Sequence, residues 1–238
     1  MPVTFSLSFA KLILYYAACA SCALAIRRFT RISEEPYRKI LHLILIGSAF
    51  VLLYAFDTWQ GAAIAAVVFA VIIFPVLSLA EHLKGYSKLL AERNGGEIKR
   101  SLVEVFGMFA ATIALCWGLL GAKYLALAVI LGWGLGDGAA ALVGKAFGKH
   151  RLEGKYIDGK KSLEGSLAMF AVSFAAIITV LISHSALPWH GYIPVAAASA
   201  MVCAVVELHT KNGLDTLTCP AAALAVMLPL IHLWGGAI

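Results

Sequence analysis

Eight apolar segments follow one another along this chain, at approximately 4–26, 40–56, 61–80, 102–120, 124–143, 163–183, 192–206 and 217–234. A helix that crosses a bilayer needs ~20 predominantly apolar residues, and seven of the segments come near that length. The segment at 192–206 is short, so the pattern allows seven or eight spans. In lipid the backbone must satisfy its own polar groups, which leaves helices and closed barrels. A barrel would read as alternating strands of about ten residues, and no such alternation is present. The segments are also too many for one signal peptide. With 61% hydrophobic and only 13% charged residues, the composition lies far from that of soluble domains. The expected fold class is all-α, a polytopic membrane helix bundle, with residues 1–238 forming a single integral membrane domain.

Of the 19 basic residues, 17 fall in four links, at 27–39, 81–101, 144–162 and 207–216. The links at 57–60, 121–123 and 184–191 hold one basic residue among them, Lys123. The positive-inside rule places the four basic links in the cytoplasm and both termini outside. The net charge of +6 is then explained by topology and anionic headgroups, and implies no nucleic-acid partner. The five cysteines lie in or beside apolar segments. Cys19-x-x-Cys22 lacks a second pair, which argues against a zinc or redox role.

Acidic residues are not required by topology. Asp137 stands in "GLGDGAAALVGKAFGKH" (134–150), at the end of an apolar segment. A carboxylate there is either solvated by headgroups or faces a cavity and marks a functional site. Gly132, Gly136, Ala140, Gly144 and Gly148 recur every four residues, a stripe that lets two membrane helices approach closely. The stripe does not account for Gly134 and Gly138. Gly138 beside Asp137 predicts an irregular or closely approached backbone. The glycine spacing before Lys149 and His150 does not fit a P-loop.

"DGKKSLEGS" (158–166) opens on an Asp158-Gly159 turn signal. Ser162 suits a helix N-cap and Glu164 the positive end of that helix. Read separately, these residues are capping and positive-inside charge. Read together, Lys160, Lys161, a hydroxyl and a helix N-terminus form a phosphate site. Glu164 would then complete a magnesium site with Asp137, since Mg²⁺ takes oxygen ligands, often one or two carboxylates plus substrate phosphates. In "EEPYRKILHL" (34–43), Glu35, Arg38, Lys39 and His42 fall on one helical face. In "ELHTKNGLDTLTCP" (207–220), Glu207 ends one span and Asp215 begins the next across an Asn212-Gly213 turn. This is either a solvated hairpin or part of a shared acidic cluster.

Taken in order, "RKILH" (38–42), "GDGAAALVGKAFGK" (136–149), "KKSLEGS" (160–166) and "GLDTLTCP" (213–220) resemble the membrane-bound polyprenol kinase family. That family includes dolichol kinases, phytol kinases and CTP-dependent diacylglycerol kinases. The resemblance spans roughly residues 35–220, and the central pair of motifs is its specific part. It implies a multispanning enzyme that phosphorylates a lipid alcohol from CTP with a divalent cation such as Mg²⁺, with catalytic motifs on the cytoplasmic side at 38–42, 136–149, 160–166 and 207–220. The site residues it implies are Asp137, Lys161, Glu164 and His42 for catalysis, with His42 or a carboxylate as base. Gly136, Gly138, Gly144, Gly148, Lys149, Lys160, Ser162, Gly165 and Lys39 would hold the nucleotide phosphates. Asp137, Glu164 and Asp215 would bind the metal. The length is close to bacterial and plastid members, which implies a bacterial plasma membrane.

Asp215-Thr216 departs from the Asp-Asn common in the last motif. Phosphatidate cytidylyltransferases look related and share a looser form of the central motifs. Their Ser-Pro before a Lys-Thr pair is replaced here by Asp158-Gly159-Lys160-Lys161-Ser162, which favours the kinase branch. An ion-coupled transporter is the third reading. It would place polar groups near the midplane in repeated halves, whereas these cluster on one side.

Overall fold

The computed structural model describes residues 2–154, 157, 161–210 and 213–235. Lys155, Tyr156, Asp158, Gly159, Lys160, Lys211 and Asn212 lie outside the described residues, and with them the Asp158-Gly159 turn, the Lys160 phosphate contact and half of the Asn212-Gly213 turn. Gly213 itself has φ +81°, as a turn there requires.

The chain is helical, in the order α1 (Pro2–Phe29), α2 (Glu34–Tyr54), α3 (Trp59–Ala80), α4 (Tyr86–Leu90), α5 (Glu97–Ile113), α6 (Lys123–Phe147), α7 (Leu163–His184), α8 (Tyr192–His209) and α9 (Asp215–Leu233). Helix α5 runs on into a π-helical segment, Ala114–Leu119, and a 3₁₀ turn, Trp189–Gly191, leads into α8. That turn extends the short seventh apolar segment to Trp189–His209, so eight helical segments are long and apolar enough to cross a membrane. Among the described residues the extended backbone pairing is one isolated antiparallel bridge, Arg151 with Ser162. The helices run past the apolar runs at their polar ends: α2 begins at Glu34 and α5 at Glu97. Hydropathy marks only the lipid-facing length, whereas backbone hydrogen bonding continues into the headgroups.

The chain divides into two compact units, Met1–Ala114 and Leu115–Ile238. In the first, α3 packs chiefly on α5 and α1 on α2. Ala62, Ala65 and Ala66 on α3 are fully buried. Phe69 stacks with Tyr16 at 4.5 Å between ring centroids and lies 4.9 Å from Phe106. Thr58 caps α3 by accepting from the Gly61 N–H at 3.2 Å.

In the second unit, α6 packs against α7 and α9, α7 against α8, and α8 against α9. The run Leu125–Ile130 is buried around its whole circumference, the mark of an inner helix. The four-residue stripe is the α6–α7 seam. A Cβ on Gly132 would meet Ile177 at 2.8 Å, and one on Gly136 would strike Ser173 and Met169. At the same seam the Ser173 hydroxyl donates to the Gly132 carbonyl at 2.7 Å. Close backbone approach of this kind substitutes for the hydrophobic drive that lipid removes.

The expectation of irregular backbone at Gly138 is corrected. Helix α6 is continuous from Lys123 to Phe147, and Gly138 does not adopt a positive φ. A Cβ there would meet nothing within 4 Å. What distinguishes Gly138 is open space beside Asp137, not a break in the helix.

Candidate functional site

The interior of α6 and the facing ends of α8 and α9 bring the charged residues of the second unit together. Helix α6 continues ten residues beyond Asp137, about 15 Å at 1.5 Å per residue. Glu207 lies in the last turn of α8 and Asp215 opens α9. Asp137, Glu207 and Asp215 approach closely enough to repel one another, and Lys161 attracts both Glu207 and Asp215. The Trp133 indole, one turn before Asp137 on α6, faces Asp215. Glu207 is buried, while Asp137 and Asp215 are half-buried.

Lys161 stands on the extended stretch leading into α7. Its ammonium donates to the Glu207 carboxylate and, at 3.0 Å, to the Glu207 backbone carbonyl. The carbonyls of a helix's last turn have no intrahelical donors, and a cation is favoured at that negative end. Lys161 therefore serves α8 twice, as counterion and as C-terminal donor. Its side chain is 23% exposed and that of Glu207 only 7%.

The start of α7 is built as the sequence implies. Ser162 is buried and its hydroxyl accepts from the Gly165 N–H at 3.2 Å. Gly144 and Gly165 lie against the same hydroxyl, each placing a Cβ 3.3 Å from it, and Gly148 lies closer still. Gly136, Gly144, Gly148 and Gly165 thus use their missing side chains for helix contact. The turn joining α6 to α7 is closed by Leu152 N–H donating to Lys161 at 3.1 Å and Leu163 N–H donating to His150 at 2.9 Å.

Glu164 turns toward His150. Its carboxylate receives the His150 backbone N–H at 3.3 Å and lies 2.7 Å from the His150 ring Nδ1. It therefore fastens the α6–α7 turn. Glu207 and Asp215 share space with Asp137. Glu207 is the residue that motif reading left outside the site. Its signal was present in the sequence: a carboxylate ending an apolar span, eight residues before Asp215. Trp133 carried no such signal. Lys149 is exposed.

Lys39 and His42 belong to α2 in the first unit and are half-buried. Their neighbour Arg38 is engaged in ion pairs, with Glu35 at 3.4 Å and Glu97 at 3.1 Å. Arg93 also reaches Glu35 at 2.6 Å. This network fastens the start of α2 to the start of α5.

Among the described residues no three His, Cys, Asp or Glu side chains form a ready-made metal cage. The Asp137–Asp215 pair suits a different kind of cation, one that arrives with ligands of its own. Hard carboxylate oxygens crowded against like charge are the donors that Mg²⁺ takes alongside phosphate and water.

These features define a class: a polytopic helical membrane protein with a mixed carboxylate–lysine site between the interior of α6 and the facing ends of α8 and α9. The sequence carries the assignment further. The chain is 30% identical over 238 aligned positions to the phytol kinase of Synechocystis sp., an alignment covering 93% of this chain and 91% of that protein. The chain belongs to the polyprenol/phytol kinase family. No family model and no solved structure matches it.

Proposed function

We propose that this protein is a membrane lipid-alcohol kinase that transfers the terminal phosphate of CTP to an isoprenoid alcohol. The observation that carries the reading is the meeting of Lys161 with Asp137, Glu207 and Asp215 in a family member whose relative is a phytol kinase. Phosphoryl transfer demands mainly positioning and charge stabilisation, and these residue types supply both.

In the proposed reaction the acceptor hydroxyl attacks the terminal phosphorus, the nucleoside diphosphate departs, and the hydroxyl proton passes to a base. A carboxylate of the cluster serves as that base; His42 remains the alternative from the family motif. Asp137 and Asp215 take the Mg²⁺ that accompanies the nucleotide, which offsets phosphate charge. Lys161 faces the phosphate oxygens, and Lys149 and Lys160 add positive charge along the approach. The absence of a side chain at Gly138 leaves space beside Asp137 for a phosphate oxygen to approach. The apolar tail of the acceptor lies among the lipid-facing side chains. In this reading the chemistry lies on the cytoplasmic side of a bacterial plasma membrane, and the positive charge of the four basic links supports the cytoplasmic side.

Purified protein given CTP labelled at the γ or the α phosphate, with phytol or diacylglycerol, tests the reading. The expected result is γ label in phytyl phosphate, dependent on Mg²⁺ and abolished by EDTA. Label from the α phosphate in the lipid would mean cytidylyl transfer instead. Asp137→Asn with unchanged transfer would refute the site.

A further inference from the structure

We infer that Glu207 is a positioning residue for the transfer reaction: it holds the Lys161 ammonium at the Asp137–Asp215 cluster, where the transferred phosphate is received. The inference rests on the proposed kinase reading.

Lys161 has a long flexible stem, and its amine is a point charge with no preferred planar geometry. The backbone around it is tied by one bridge, Arg151 to Ser162, and one hydrogen bond from Leu152. Neither fixes where the ammonium points. Glu207 does, by accepting two of its three N–H donors, one on the carboxylate and one on the backbone carbonyl. Both acceptors belong to the final turns of α8, which packs against α7 and α9. The ammonium so held also acts on Asp215 across the cluster.

A purely structural role fits this arrangement poorly. A buried ion pair contributes little net stability compared with apolar residues of similar volume. Here the pair is also set beside two further carboxylates that repel Glu207. Glu207 thus sits where like charge costs stability, and besides closing the end of α8 it yields a fixed amine. A phosphate entering the cluster meets a cation already in place, so no side-chain ordering is needed during transfer.

The test is a double-mutant cycle on the full-length purified protein, read as kcat/KM for γ-phosphate transfer from CTP to phytol. Glu207→Gln is expected to lose about tenfold and Lys161→Gln about a hundredfold, the scale of a displaced or deleted charge-stabilising group. Lys161→Gln combined with Glu207→Gln is expected to match Lys161→Gln alone, because a positioning residue has nothing left to position. A further tenfold loss in the double variant, or no loss in Glu207→Gln, would overturn the inference. Full activity in Lys161→Gln would instead overturn the site reading itself. Glu207→Asp covers the case in which Lys161→Gln fails to fold. It keeps the charge but withdraws the carboxylate by one methylene, and is expected to lose about threefold in kcat/KM at an unchanged melting temperature. Unchanged kcat/KM with a lowered melting temperature would make Glu207 structural and sink the proposal.

Discussion

Two ionic clusters stand at helix ends in this protein, one in each unit. In the first, Glu35 and Glu97 face Arg38 and Arg93, with Arg38 shared between the two carboxylates. The Arg93 backbone N–H also donates to Glu97 at 2.8 Å. Two positive and two negative side chains are paired, and the Arg38–Glu97 and Arg93–Glu35 contacts fasten α2 to the start of α5 and the link before it. In the second, Asp137, Glu207 and Asp215 crowd together, and Lys161 is the described cation that attracts both Glu207 and Asp215. Like charges at close range cost stability. In the proposed reading such a cluster receives a cation that arrives with the nucleotide, whereas the first cluster has a purely fastening role.

This contrast can be broken in graded steps. Asp137→Asn should produce the largest effect, a loss of at least ~100-fold in lipid phosphorylation, with thermal stability in detergent unchanged or raised because a like charge is gone. An activity assay paired with a melting curve checks both halves. Lys161→Met comes next in stability: it strands Glu207 as a buried carboxylate, at a cost of about 3–5 kcal/mol. Adding Glu207→Gln should recover most of that loss in chemical denaturation. In the matched cluster, Arg93→Met removes an arginine that is 58% exposed, so its cost should stay near ~1 kcal/mol or less, with transfer activity retained. If Arg93→Met silenced the enzyme at intact stability, the division into a structural and a chemical cluster would fail.

The two glycines flanking Asp137 give the finest contrast. Gly136→Ala drives a methyl into Ser173 and Met169, and overpacking of this kind costs about 1–3 kcal/mol. Gly138→Ala enters open space in a regular helix and should stabilise by roughly 0.5–1 kcal/mol through helix propensity. The same methyl should raise the KM for nucleotide if the triphosphate passes over that position. Melting temperature and nucleotide KM for the two variants should therefore move in opposite patterns.

The architecture was largely legible in the sequence. Eight apolar runs became eight helical segments long enough to span, since lipid leaves the backbone only helix or closed barrel and no strand alternation is present. The stripe from Gly132 to Gly148 became the α6–α7 seam, because a period of four keeps small residues on one helical face. Ser162 capped α7 as its position before the apolar run implies. Glu164 was legible only in part. Its spacing after Lys161 shows that it enters the first turn of α7, but not which way its carboxylate turns, and His150 claims it.

The sequence by itself determined the membrane-spanning helices, the seam that packs α6 on α7, and the residue types that a phosphate site requires. Only the tertiary structure decided which of those residues meet. Asp137, Lys161, Glu207 and Asp215 are spread over 79 positions of the chain, and hydrophobic periodicity carries no information about which helix ends converge. Burying α6 against its neighbours sets that level, and it brings Glu207 to Lys161 while leaving Glu164 to the turn.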